Sequence, residues 1–132
     1  MDIPHDAVLL RIFTSVDDRY ELTPLYVAIV QKARELSMAG ATVLRGPLGY
    51  GHSTRLHKGH LFPLAQDLPV VVEIVDSEER IDAFLPVLDG MMESGLVTLE
   101  KARVLRYGRQ RGGLLQRLKG QLAGHPPAPN SA

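Results

Sequence analysis

The run LPVVVEIVD at residues 68–76 constrains the fold more than any other part of the chain. Its β-branched residues Val70, Val71, Val72, Ile74 and Val75 are stiff at χ1 and suit a pleated, half-buried strand better than a helix. Ser77 follows at once, with Glu78 and Glu79 behind it. A hydroxyl that can accept from a first-turn amide, then two acids at the positive end of a helix dipole, predict a helix N-terminus. Ile81, Phe84, Leu85, Leu88 and Met92 give that helix an apolar stripe ending near Gly95. Pro86 lies inside it and should remove a backbone bond and kink or widen the helix around Asp82.

The flanking segments read by the same rules. AVLLRIFTS, from Ala7 to Ser15, predicts a first strand. Thr23 as cap with Pro24 at the first helical position, then Leu25, Ala28, Ile29, Ala33 and Leu36, predicts a helix from about Thr23 to Ala39, stopped by Gly40. Residues 41–46 and 96–107 read as two further strands. The order strand, helix, strand, strand, helix, strand predicts an α+β fold, a ferredoxin-like βαββαβ sandwich with two helices on one face of an antiparallel sheet. Residues 1–108 make this domain, and residues 109–132 read as a basic, Pro-rich, mobile tail.

A chain of 132 residues has room for one core. It contains no apolar run long enough to span a bilayer, no secretory signal at the N-terminus and no cysteine, so a cytoplasmic location is expected. Fifteen basic residues balance fifteen acidic ones, and no nucleic-acid partner is expected. Alternation puts Leu9, Arg11 and Phe13 on the helix-free side of strand one, with Arg45, Glu73, Lys101, Arg103 and Leu105 assigned to the same side. Such a mixed face predicts self-association, with Glu73 pairing Arg11 or Arg103 so that no charge is buried alone.

The connection at residues 46–68 is far longer than compact domains need between strands, which marks it as the working part. Arg45-Gly46-Pro47-Leu48-Gly49-Tyr50-Gly51-His52 opens it, and Arg55 and Lys58 follow. Glycines let backbone approach a ligand or take positive φ, and amides with nearby cations suit an anion such as phosphate. A twisted hairpin with a solvated polar tip fits the same residues. His52, His57 and His60 supply imidazoles for an alternative, a divalent-metal site, although their spacing matches no closed zinc signature.

The runs RGPLGYGHSTRLH, DLPVVVEIVD and LPVLDGMMESGLVTLEKARVLRYG, in that order, resemble domain-of-unknown-function family 190, a group of PII-like proteins. The resemblance covers about residues 7–108 and implies a ferredoxin-like homotrimer that binds a small effector in clefts between subunits. It also implies that the long loop signals to a protein target, a membrane transporter being one option. Gly49-Tyr50-Gly51 resembles the Gly-Phe-Gly segment at the base of the PII loop, which lies against a bound adenine nucleotide. Two departures limit the transfer: His52-Ser53-Thr54 stands where PII proteins carry Arg-Gln-Lys, and Glu93-Ser94-Gly95-Leu96 stands where they carry a phosphate loop. The implied effector is therefore a small anion, with an adenine nucleotide as one candidate and no certain cofactor. Arg45, Gly46, Gly49, Tyr50, Gly51, Arg55, Arg103 and Arg106 are the candidate ligand-binding residues.

No Ser, His and acid set or carboxylate pair points to catalysis, so no enzyme activity is expected and no catalytic residue is assigned. Asp76 reads as a capping neighbour of Ser77. Met91, Met92 and Phe84 read as core or interface filler, Tyr107 as a cover for a subunit edge or a stacking platform, and the basic tail as a solvated segment.

Overall fold

The structure, a computed structural model, describes residues 3–51, 68–109 and 118–120. Among these residues the chain forms β1 (Asp6–Ser15), β2 (Arg19–Tyr20), β3 (Thr23–Pro24) and α1 (Leu25–Glu35), followed by β4 (Thr42–Arg45), β5 (Pro69–Asp76), α2 (Glu78–Asp89) and β6 (Leu96–Arg103). Four strands make one antiparallel sheet in the order β4-β5-β1-β6, with both helices on one face. This is the ferredoxin-like arrangement. No described helix is long and apolar enough to cross a membrane.

The core lies between sheet and helices. Leu10 and Ile12 of β1 and Val70, Val72 and Ile74 of β5 point at Leu25, Ala28, Ile29 and Ala33 of α1 and at Ile81, Phe84 and Leu88 of α2. Burying each such side chain contributes about 1.5–3 kcal/mol before entropy is counted. Period two in the strands and period 3.6 in the helices meet on one apolar layer.

Helix α1 begins differently from expectation. Thr23 does not cap it; Thr23 and Pro24 pair with Arg19 and Tyr20 in a short hairpin, and Pro24 takes the cap position with no side-chain bond. The amide of Leu25 instead donates to the Asp18 carbonyl at 2.8 Å. The helix also stops at Glu35, well before Ala39, because Ser37 turns the chain with φ of 56°. Helix α2 starts as read, its Ser77 hydroxyl accepting from the Arg80 amide. It carries Pro86 within its span and ends at Asp89 rather than near Gly95. Gly95, with φ of 128°, then redirects the chain into β6; a Cβ there would stand 2.9 Å from the Phe13 carbonyl, which only glycine avoids.

Strand β6 is shorter than the predicted span, ending at Arg103. After Val104 donates to the His5 carbonyl the chain turns, and the Tyr107 hydroxyl donates to the Ala39 carbonyl at 2.7 Å. The helix-free face also needs correction. Arg11 is there, opposite Glu73 on β5 and Thr98 on β6, with Leu9, Phe13, Leu44, Leu96 and Glu100 around it. Arg45, Lys101 and Arg103 are opposite Val70, Val8 and Asp6, so their register puts them on the helix-bearing side, and Leu105 lies beyond the strand. The expected ion pair is present: Arg11 Nε donates to Glu73 at 3.1 Å, and its NH1 donates to Glu100 at 2.8 Å.

Candidate functional site

Strand β4 carries the chain to Arg45 at one end of the sheet. The Gly46 amide extends the ladder by donating to the Pro69 carbonyl at 2.8 Å, and Val16 donates to Leu68 on the other side of β5. The Asp18 carboxylate fixes the neighbouring turn by accepting from the Ser15 amide and the Thr14 hydroxyl. These bonds give the long connection a rigid root on three strands.

Gly46 and Gly49 owe their identity to packing. A Cβ on Gly46 would stand 2.7 Å from Cγ of Pro69, and one on Gly49 would stand 3.0 Å from the same atom. The segment therefore folds over the proline ring, which only residues without a Cβ permit. Neither residue, nor Gly51, takes positive φ, and Gly51 faces open space. Leu48 and Tyr50 project outward, 69% and 75% exposed.

Arg45 is held by a residue that sequence reasoning passed over. Its guanidinium carbon lies 5.5 Å from the centroid of the Tyr26 ring on α1, and its NH2 donates to the Tyr26 hydroxyl at 2.7 Å. A cation over an aromatic face, tied by one hydrogen bond, is pre-oriented and keeps most of its five N–H donors available. Such a group can receive an anionic oxygen, and Tyr50, five residues further along the same root, is an exposed ring able to stack. Nothing in a single sequence links residues 26 and 45, because the contact exists only once α1 packs on the sheet.

The remaining candidates divide. Arg103 and Arg106 are exposed at the opposite end of the sheet. Thr14 is the β1 residue level with Val70, the partner of Arg45, whereas Asp6 is level with Arg103. Eight residues of strand separate those levels, about 26 Å. Within one chain these arginines do not join the loop root. Arg55, Lys58, His52, His57 and His60 lie outside the described residues. Among the described residues no cluster of His, Asp or Glu has the geometry of a metal site.

Asp76 is a structural acid. It is 1% exposed, and its carboxylate accepts from the amides of Ala39 at 2.9 Å and Ser77 at 2.8 Å, with Arg80 Nε 3.5 Å away. Arg80 also donates to the carbonyls of Leu36 and Ser37 at the end of α1. A buried carboxylate so satisfied joins the end of one helix to the start of the other.

Residues 7–104 match domain-of-unknown-function family 190, described as "Uncharacterized ACR". A UPF0166 protein of Aquifex aeolicus is 46% identical over 97 residues, covering 74% of this chain and 91% of the relative. A UPF0166 protein of Methanocaldococcus jannaschii is 32% identical over 101 residues, covering 76% of this chain and 93% of that one. Among solved structures, a candidate PII-like signalling protein of Thermus thermophilus superposes with a TM-score of 0.52 at 19% identity, covering 79% of this chain and 93% of that protein. That likeness shows a shared PII-like, ferredoxin-like fold. By the match across nearly all of its sheet and both helices, the chain belongs to domain-of-unknown-function family 190.

Proposed function

We propose that this protein is a PII-like regulator, a homotrimer that binds a small anionic effector in clefts between subunits and signals occupancy to a partner protein through residues 46–68. An adenine nucleotide is the first candidate effector. The observation that carries this reading is Arg45 held on Tyr26 at the root of that long connection, where Tyr50 is also exposed. An anchored cation and an open aromatic ring on one loop root suit a ligand with a charged end and a flat end. The helix-free face, with its Arg11 ion pairs among Leu9, Phe13, Leu44 and Leu96, suits packing against further copies. Because Arg103 and Arg106 sit at the far end of their own sheet, they reach an effector at the loop root only from a neighbouring subunit. A connection rooted on fixed strands can shift between conformations when a ligand favours one of them.

A ligand that binds the folded state alone raises apparent stability, by about 2.7 kcal/mol at a hundredfold excess over Kd. Thermal unfolding is therefore measured with nucleotides, organic acids and divalent metals, for the parent chain and for Arg45→Ala. A rise with a nucleotide or other anion that Arg45→Ala removes supports the reading. A rise confined to zinc, copper or nickel replaces it with the metal site of His52, His57 and His60. A monomer by light scattering removes the inter-subunit cleft.

A further inference from the structure

A groove runs between the second half of α2 and β6, on the helix-bearing side of the sheet. Its floor is apolar: Leu85, Pro86 and Met92 meet Val97, which the register places level with the buried Ile12. Val97 is nevertheless 39% exposed, and Leu99, two residues along the same face, is 48% exposed. Its rim is acidic, formed by Asp82, Asp89 and Glu93. None of these three acids has an ion-pair partner among the described residues. The groove thus offers an unfilled apolar floor under an uncompensated negative rim.

The chain carries a segment of matching chemistry. Arg109, Arg111, Arg117 and Lys119 are four of its fifteen bases, and no acid follows Glu100. The apparent neutrality of the whole therefore conceals an acidic body, with eleven bases against all fifteen acids, and a cationic C-terminal segment. Leu114, Leu115, Leu118 and Leu122 recur at i, i+1, i+4 and i+8, which is one stripe at helical spacing, and Arg117 and Lys119 fall on either side of it. Residues 118–120 are helical. A leucine stripe flanked by cations is the complement of an apolar floor flanked by carboxylates.

Length permits the contact. Tyr107 is fixed to Ala39 beyond the end of α1, and six residues, the number from Gly108 through Gly113, can span at most about 20 Å. The family match ends at residue 104, so this segment lies outside the shared domain, and the groove is an acidic, apolar surface of complementary chemistry.

We propose that the C-terminal segment at residues 109–122 docks by its leucine stripe in the α2–β6 groove, with its bases paired to Asp82, Asp89 and Glu93. The contact covers Val97 and Met92 and is independent of any effector at the loop root. The absence of native cysteine makes a direct test available. The full chain is prepared with Ser94→Cys and Gln116→Cys, and in parallel with Gln31→Cys and Gln116→Cys, the latter placing the thiol on exposed α1 nearer the tail's point of departure. Under mild oxidation the groove pair is expected to form a disulfide several-fold faster than the α1 pair. A product of single-chain mass means docking in the chain's own groove, and a product of double mass means docking in a neighbour's; both support the proposal. The advantage is expected to vanish in about 1 M salt, where the Debye length falls to about 3 Å, and in the variant Asp82→Asn, Asp89→Asn, Glu93→Gln. Equal rates for the two pairs, or an advantage indifferent to both salt and neutralisation, overturn it.

Discussion

The two ends of the sheet are built by opposite means. At the end where β5 enters α2, side chains close the structure: Asp76 collects the amides of Ala39 and Ser77, Arg80 reaches back to Leu36 and Ser37, and Tyr107 seals Ala39 from the other side. Where β4 leaves the sheet, backbone bonds and one proline ring hold the chain, and Leu48 and Tyr50 are left in solvent. Buried polar groups that satisfy one another fix a unique geometry and offer nothing to a ligand. A root fixed largely by backbone, with Asp18 and the Arg45–Tyr26 contact beside it, leaves other side chains such as Tyr50 exposed. Side-chain closure is therefore concentrated at the Asp76 end, and the proposed function puts recognition at the Arg45 end.

The largest effect that tests this division is at Asp76. Asp76→Ala leaves the Ala39 and Ser77 amides without their acceptor and Arg80 without its carboxylate, and is expected to cost about 3 kcal/mol in urea unfolding. A loss below about 1 kcal/mol would show that water replaces the carboxylate and that this end is not closed. At the other end the vulnerable contact is steric. Gly46→Ala drives a Cβ into the Pro69 ring and is expected to cost about 1–2 kcal/mol, a loss that Pro69→Ala in the same chain should largely recover. If the two substitutions simply add, the proline ring is not what requires the glycine.

Which parts of this arrangement were legible in the sequence follows from the range of the forces involved. The passage from β5 into α2 was readable because Val70 to Val75 and the Ser77 cap are local signals, and the bond from Ser77 to Arg80 spans three residues. The βαββαβ order followed from such signals, and the topology confirms it. The hairpin of β2 and β3 was not readable, since two-residue strands carry no periodicity, and Thr23-Pro24 looks like a helix start until the Asp18 carbonyl is seen to accept the Leu25 amide. The error over Lys101 and Arg103 is one of register: a slip of one residue moves a strand's side chains to the opposite face. Only the pairing of Arg11 with Thr98 reveals that Glu100 lies on the helix-free side. At the candidate site the glycines were visible, but their reason, Pro69, lies some twenty residues away in sequence. Tyr26 became visible only as the support of Arg45.

The smallest expected change in stability is the one that separates the two ends most sharply. Tyr50 is 75% exposed, so Tyr50→Ala should alter unfolding free energy by no more than about 0.5 kcal/mol. Under the proposed function the same substitution removes the stacking surface of the loop root, where an aromatic side chain against a base contributes about 1–3 kcal/mol. The variant should therefore unfold as the parent does without ligand and lose most of the stabilisation that an effective nucleotide confers. Asp76→Asn offers the converse comparison, keeping one carbonyl oxygen as acceptor but giving up the charge opposite Arg80. It should lower the baseline stability while leaving the ligand-induced rise intact. If Tyr50→Ala lowers the baseline and spares the ligand effect, the loop root is a structural element and recognition belongs elsewhere on the molecule.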